Sequence, residues 1–310
     1  MINRRFFQRL AAGLAILGLT LSLAFAVCMA QIPTWGATPA EVAQALPGDE
    51  LAPQPLLNWT NAIDIAAPPE QVWPWVAQLG DTRGAFYSYT FIEDRVGALM
   101  GASDYTVNYE NADRLHPEWQ TPQAGDVIIQ GSLKIRAVQP GRYLLADSIN
   151  PDAMQWVWLW WLEPQAGGTR TRLIVRFRIQ LPTAEDNPVM TGVMTAGGFV
   201  MQQRMLHGLQ LRAEGGQEPA WIETAEIALW LSTLAIGLAA GLAYLFRRDW
   251  RRPLAVAVLA VAVLVALTFI QPDLRVRAAV SLGLLAGLVW PNSRPRVVEV
   301  PVLSGVPVKH

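Results

Sequence analysis

The chain has 310 residues, a formal net charge of −1, and 52% hydrophobic against 16% charged residues. This near-neutral balance, with a sequence pI of about 6.3, provides no basic footprint for nucleic acid. Cys28 is the single cysteine, which excludes an intramolecular disulfide and any cysteine-based metal cluster.

Residues 1–31 are expected to form an N-terminal transmembrane anchor. Leu10–Ala30 carries no charge and, at about 1.5 Å per residue, is long enough to cross roughly 30 Å of hydrocarbon. Arg4, Arg5 and Arg9 place its start in the cytoplasm by the positive-inside rule. A cleaved signal peptide is the alternative, since Cys28-Met29-Ala30 loosely fits a cleavage site. Val27 before Cys28 argues against lipid modification. Residues 32–55 hold Pro33, Pro39, Pro47, Pro53 and Pro55, and are expected to run as an extended linker with a short helical turn at Ala40–Ala45.

Residues 56–216 read as one folded domain. Leu57–Ala66 alternates as a half-buried strand does, with Ile63 and Ile65 around Asp64. Pro68-Pro69-Glu70 suits a helix start, Val72, Trp75, Val76 and Leu79 share a face, and Gly80 ends it; Pro74 inside predicts a kink or a late start. Thr90–Met100 is expected to be a second short helix. Five strands follow at Asp126–Gly131, Leu133–Val138, Tyr143–Ile149, Gln155–Glu163 and Thr169–Leu181. Gly131-Ser132, Pro140-Gly141, Asn150-Pro151 and Ala166-Gly167-Gly168 supply turn chemistry between them. Such close spacing means hairpins and an antiparallel sheet. A long helix at Val189–Arg212 completes an α+β architecture, with helices gathered on one side of a curved sheet.

Residues 222–290 carry two or three further transmembrane helices. Ala225–Phe246 ends in Arg247, Arg248, Arg251 and Arg252, which belong on the cytoplasmic side, so the domain between the first two spans lies outside. Leu254–Ile270 goes back out. Ala278–Trp290 is short for a span and crosses only with tilt or thinning; four spans are preferred to three. Residues 291–310, with four prolines, are expected to be a disordered tail.

Three segments now point to a family: Ala66-Ala67-Pro68-Pro69-Glu70-Gln71-Val72-Trp73, Gly84-Ala85-Phe86-Tyr87-Ser88-Tyr89, and Asn111 to Gln120 running to Gly125-Asp126. Together with the element order they resemble the START-like, or SRPBCC, superfamily of polyketide cyclases and lipid-transport proteins, in a membrane-anchored bacterial branch. The resemblance implies a helix-grip fold with a long cavity between the sheet and the C-terminal helix. The fold hosts carriers, receptors, cyclases and activators, so it does not fix the chemistry.

Trp75, Phe86, Tyr87, Tyr89 and Trp119 are the expected ligand-lining residues, with Met190, Met194, Met201 and Met205. These methionines fall within about a 60° arc of the last helix and would give an adaptable apolar wall; a plain methionine-rich core face is the alternative. Pairing Glu163 with Thr169 would put Trp156, Trp158 and Trp160 on the outer face with Arg172 and Arg176, as an Arg–Trp ladder suited to lipid headgroups. A register one residue different sends the tryptophans inward. Asp113, His116 and Glu118 are the acid–base candidates, beside Arg114, but their spacing has no metal logic and a cross-linked loop explains them as well. His207 reads as an ordinary surface or helix-end histidine. No cofactor is expected.

The sequence thus favours membrane-tethered binding or transfer of a lipid or isoprenoid-like molecule at the outer side of a bacterial cytoplasmic membrane. The alternatives are a cyclase or aromatase-like enzyme, and a sensor or partner-binding module meeting another membrane protein. Binding is preferred to catalysis.

Overall fold

Closely spaced turns between Asp126 and Leu181 do fold into hairpins. The computed structural model describes residues 4–92, 110–182, 188–247 and 249–290. Six strands form one antiparallel sheet: β1 (Leu57–Ile65), β2 (Val127–Ile129), β3 (Leu133–Gln139), β4 (Tyr143–Ser148), β5 (Gln155–Gln165) and β6 (Arg170–Gln180). Their order is β1-β6-β5-β4-β3-β2, so β1 closes the sheet against the last strand. The helices are α1 (Arg4–Gln31), α2 (Pro39–Ala43), α3 (Pro69–Ala77), α4 (Pro188–Ala213), α5 (Trp221–Phe246), α6 (Arg251–Ile270) and α7 (Leu274–Val289). The protein is α+β. Pro69 opens α3, where a missing N–H costs nothing, whereas Pro74 lies inside it and removes one interior hydrogen bond without ending the helix. Thr90–Ile92 begins a helix, and the rest of the expected Thr90–Met100 element lies outside the described residues.

The β5–β6 register decides what each sheet face carries. Glu163 pairs with Arg172, not Thr169, and Trp158 and Trp160 stand opposite Phe177 and Val175. Ala166, Gly167 and Gly168 all adopt positive φ, closing a four-residue turn between Gln165 and Arg170. An even-length turn in place of an odd one reverses the faces, since side chains alternate with period two. The tryptophan row therefore points inward and the arginines outward, so the expected outer Arg–Trp ladder does not form.

The inner face packs on α3 and α4. Leu79, Val72 and Val76 from one side and Phe199, Met205, Leu206 and Leu209 from the other join Trp160, Leu162, Leu173 and Val175 in a single core. Burying side chains of this size contributes about 1.5–3 kcal/mol each.

The outer face carries the segment expected to be an extended linker. Residues 32–55 fold down onto the sheet, with Leu46 and Ala52 packed on Ala62, Leu145, Val157, Leu159 and Ile174. Thr38 and Glu41 form a reciprocal capping box at the start of α2. The prolines set the turns of this strap without preventing its packing. Arg172 pairs with Glu41 at 2.7 Å and holds its carboxyl below the usual carboxylate range. Arg176 is 2% exposed. It donates to Asp49 (2.6 Å), to the carbonyls of Gln44 (2.8 Å), Glu41 (2.9 Å) and Val42 (3.2 Å), and to Thr60 (3.2 Å). Arg178 pairs with Asp49 at 3.2 Å. These arginines anchor the strap rather than a lipid surface.

Among the described residues, three helices are long and apolar enough to cross a membrane: the stretches Phe7–Thr34, Trp221–Phe246 and Arg251–Ile270. The fourth, α7, starts at Leu274, earlier than expected, where Asp273 accepts from the N–H groups of Arg275 and Val276. Ala240, Val256, Ala257, Ala260, Leu284 and Leu288 form the core of this bundle. Close approach depends on small residues: a Cβ on Gly237 would lie 2.9 Å from that of Ala260.

Candidate functional site

Even-numbered positions of β5 build an aromatic row on the inner face. Trp156 and Trp158 stack with centroids 5.6 Å apart, and Trp158 and Trp160 are 4.5 Å apart. Phe86 stacks on Trp158 at 5.5 Å, and Phe177 meets Trp156 and Trp158 edge-on. Trp59 stacks on Phe177 at 4.6 Å. Across from them, Gly198 of α4 lets the helix approach Trp59, since a Cβ there would come within 2.8 Å of its ring.

The indole nitrogens are the informative atoms. The Nε1 atoms of Trp156, Trp158 and Trp160 are buried without a hydrogen-bond partner among the described residues. Leaving a buried donor unpaired costs about 1–3 kcal/mol, and native structures rarely tolerate several side by side. An indole N–H only donates, so the complementary group is an acceptor such as a carbonyl, ether, hydroxyl or phosphate oxygen. The rings around these donors are apolar. A group that reached these donors would need an apolar body and at least one acceptor.

The expected lining residues separate into distinct places. Phe86 reaches the tryptophan row; Met194 and Met205 pack against the same core. Met190 lies on α4, and its side chain is outside the described residues. Met201 sits by Ser88, whose hydroxyl donates to the Met201 carbonyl at 2.8 Å. Tyr87 donates to the Trp75 carbonyl at 3.0 Å and lies under the Arg212 guanidinium, 4.6 Å away. Tyr89 faces the helix bundle, 5.5 Å from Arg204, and burial pushes its phenol up to about 12.

Trp119 stacks on His116 at 4.2 Å in a half-exposed loop. His116 Nδ1 lies 3.3 Å from the Glu118 carboxylate, while Asp113 and Arg114 are exposed. The buried Gln78 carboxamide fixes the loop: it accepts from the His116 N–H at 3.1 Å and donates to the Arg114 carbonyl at 3.2 Å. Arg114 forms no salt bridge among the described residues, though its charge adds to the backbone hydrogen bond and the His116 contact that lower the Glu118 carboxyl below its ordinary value. No group of three or more His, Cys, Asp or Glu side chains among the described residues could hold a metal ion. His207, expected at the surface, packs edge-on against Trp35 at 5.9 Å, and burial lowers its basicity.

Sequence reasoning missed two buried polar groups. Gln202 of α4 donates to Asn61 of β1, which in turn donates to the Ile32 carbonyl at 2.8 Å. At the other side of α4, Arg204 pairs with Glu218 (2.6 Å) and Glu226 (3.2 Å), and Glu226 also pairs with Arg277 at 3.1 Å. The available signal was a glutamate just inside one apolar run and an arginine just before another, since charge beside hydrocarbon is retained only with a partner.

No protein-family model matches the chain, and no curated protein matches it. Among solved structures it is similar to Zhui aromatase/cyclase from Streptomyces sp. R1128, at 14% identity over 51% of this chain and 93% of that one, with a TM-score of 0.28. TTHA0849 from Thermus thermophilus is 13% identical over 51% of this chain and 97% of that one, with a TM-score of 0.27. Protein MLL2253 from Mesorhizobium loti is 16% identical over 49% and 93%, with a TM-score of 0.24. The fold is defined by the strand order and by the helix packed across the sheet.

Proposed function

We propose that this chain is a membrane-bound domain of the helix-grip kind that binds an apolar molecule with a hydrogen-bond acceptor, lipid-like or isoprenoid-like, against the inner face of β5. The observation that carries this reading is the row of three buried indole N–H groups without partners, set among stacked rings. Three helices apolar enough to cross a bilayer support a membrane location. The arginines at both ends of the anchor arrangement support a cytoplasmic N-terminus with the domain outside. An apolar chain passing from the bilayer to the domain would avoid water, where each exposed CH₂ costs about 0.8 kcal/mol.

A partner-binding module is the second reading. Trp160, Leu206 and Leu209 are fully buried among the protein's own side chains, so ligand entry requires α4 to move. The enzyme reading has less support, because His116 and Glu118 lie with Trp119 and not with the tryptophan row.

Indole ¹H–¹⁵N resonances of the full-length protein in detergent test the proposal. Trp156→Phe, Trp158→Phe and Trp160→Phe assign the three signals. Delipidated protein given a total lipid extract of the expression host should show these signals moving downfield together, as N–H groups do on gaining an acceptor. Signals that stay in place while others move would exclude the row as the binding site.

A further inference from the structure

Four helix ends meet at the basic end of the bundle. Arg9 of α1 donates to the Tyr244 carbonyl and, at 2.8 Å, to the Arg247 carbonyl. Arg247 donates to the Leu288 carbonyl at 2.9 Å, and Arg252 to the Trp290 carbonyl at 3.2 Å. The Arg251 guanidinium lies 5.8 Å from the Trp250 ring centroid. Residues 247–252 contain four arginines against one aspartate, Asp249. None of Arg9, Arg247, Arg251 and Arg252 is in a salt bridge among the described residues.

Beside these charges an open groove of about 310 Å³ runs between α6 and α7. Ala255, Val256, Ala286 and Gly287 line it, and Arg252 and Trp290, hydrogen-bonded to each other, stand together at its basic end. Arg247, Arg251 and Arg252 are exposed, as is Trp290. A guanidinium has five donors, so the single carbonyl bonds of Arg247 and Arg252 leave donors free. The combination is an apolar slot of small side chains, an exposed tryptophan beside it, and several cations with no carboxylate partner among the described residues.

We propose that this end of the bundle binds one anionic phospholipid, with an acyl chain in the α6–α7 groove and the headgroup on Arg247, Arg251 and Arg252. Charge complementarity selects the headgroup. A zwitterionic lipid offers the same phosphate but carries a compensating ammonium, whereas phosphatidylglycerol keeps its net charge. Each arginine close to an anionic lipid surface favours binding by about fivefold. The site is separate from the tryptophan row, and its occupancy does not depend on what the row binds.

Native mass spectrometry of the full-length protein in dodecyl maltoside tests this, with palmitoyl-oleoyl phosphatidylglycerol or the matching phosphatidylcholine added at equal concentration. One phosphatidylglycerol should be retained at least fivefold more than phosphatidylcholine. Arg251→Gln with Arg252→Gln should lower that ratio by fivefold or more while leaving phosphatidylcholine retention unchanged. Ala255→Trp, which fills the groove without altering charge, should also lower phosphatidylglycerol retention. Equal retention of the two lipids by the unaltered protein, or a preference that survives both variants, would overturn the proposal. Displacement by millimolar glycerol 1-phosphate would also overturn it, because the site would then recognise a soluble phosphate ester. A mass retained unchanged by the double variant would belong to the tryptophan row.

Discussion

Glu226→Ala is expected to cost about 3–5 kcal/mol of stability, because it leaves the arginines on either side of it buried without their shared counter-ion. Glu226 bridges Arg204 at 3.2 Å and Arg277 at 3.1 Å. Arg204 is 4% exposed and Arg277 is 2% exposed. The three residues come from α4, α5 and α7, so the cluster joins the sheet-packing helix to the apolar bundle. Arg204 keeps Glu218 at 2.6 Å and is partly compensated, so most of the loss should come from Arg277. Glu226→Leu combined with Arg277→Met should therefore recover much of the stability, since a matched apolar pair avoids the desolvation of both charges. Thermal unfolding of the full-length protein in detergent, followed by tryptophan fluorescence, provides the comparison. A loss below about 1 kcal/mol for Glu226→Ala would mean that the cluster behaves as an exposed, screened one.

Arg176→Met should release the strap of residues 32–55 from the outer face. The guanidinium satisfies the carbonyls of Glu41, Val42 and Gln44 and the carboxylate of Asp49, while methionine fills similar volume and donates nothing. The stranded acceptors are half-buried and Asp49 keeps Arg178, so water replaces part of what the guanidinium supplied and a total loss of about 2–3 kcal/mol is expected. Limited proteolysis should cut the variant between Trp35 and Leu56 much faster than the unaltered protein, with the sheet intact. Acid should act in the same direction through Glu41. Its folded-state value lies below the ordinary one, so its contribution is complete above about pH 4.3 and is lost as pH falls through the folded value. Equal cleavage rates for variant and parent would show that hydrophobic packing of Leu46 and Ala52 holds the strap without the arginine.

Much of the architecture was legible because it rests on local signals. Turn dipeptides marked the hairpins, and alternation marked β1. Long apolar runs marked the membrane-length helices. Features set by distant contacts were not legible. The outward direction of Arg172, Arg176 and Arg178 depends on whether the turn after Gln165 holds an even number of residues, and the Ala166-Gly167-Gly168-Thr169 sequence permits either parity. The strap looked like a linker because its prolines oppose regular structure, yet its carbonyls and acids are the partners of arginines more than a hundred residues away. The tryptophan row was visible as a pattern, but its direction was open until the register fixed it. The Met stripe was real as a spacing, while its members meet different neighbours because α4 touches the sheet on one side and the helix bundle on another.

Whether the tryptophan row holds an apolar molecule is decided by native mass spectrometry of the full-length protein, with extraction and identification of whatever it carries from the cell. One stoichiometric apolar molecule bearing an oxygen acceptor is expected, lost when Trp158→Phe and Trp160→Phe are combined and retained when Arg251→Gln and Arg252→Gln are combined. A protein that remains free of bound molecules after incubation with membrane extract would contradict it, and would favour the partner-binding module instead.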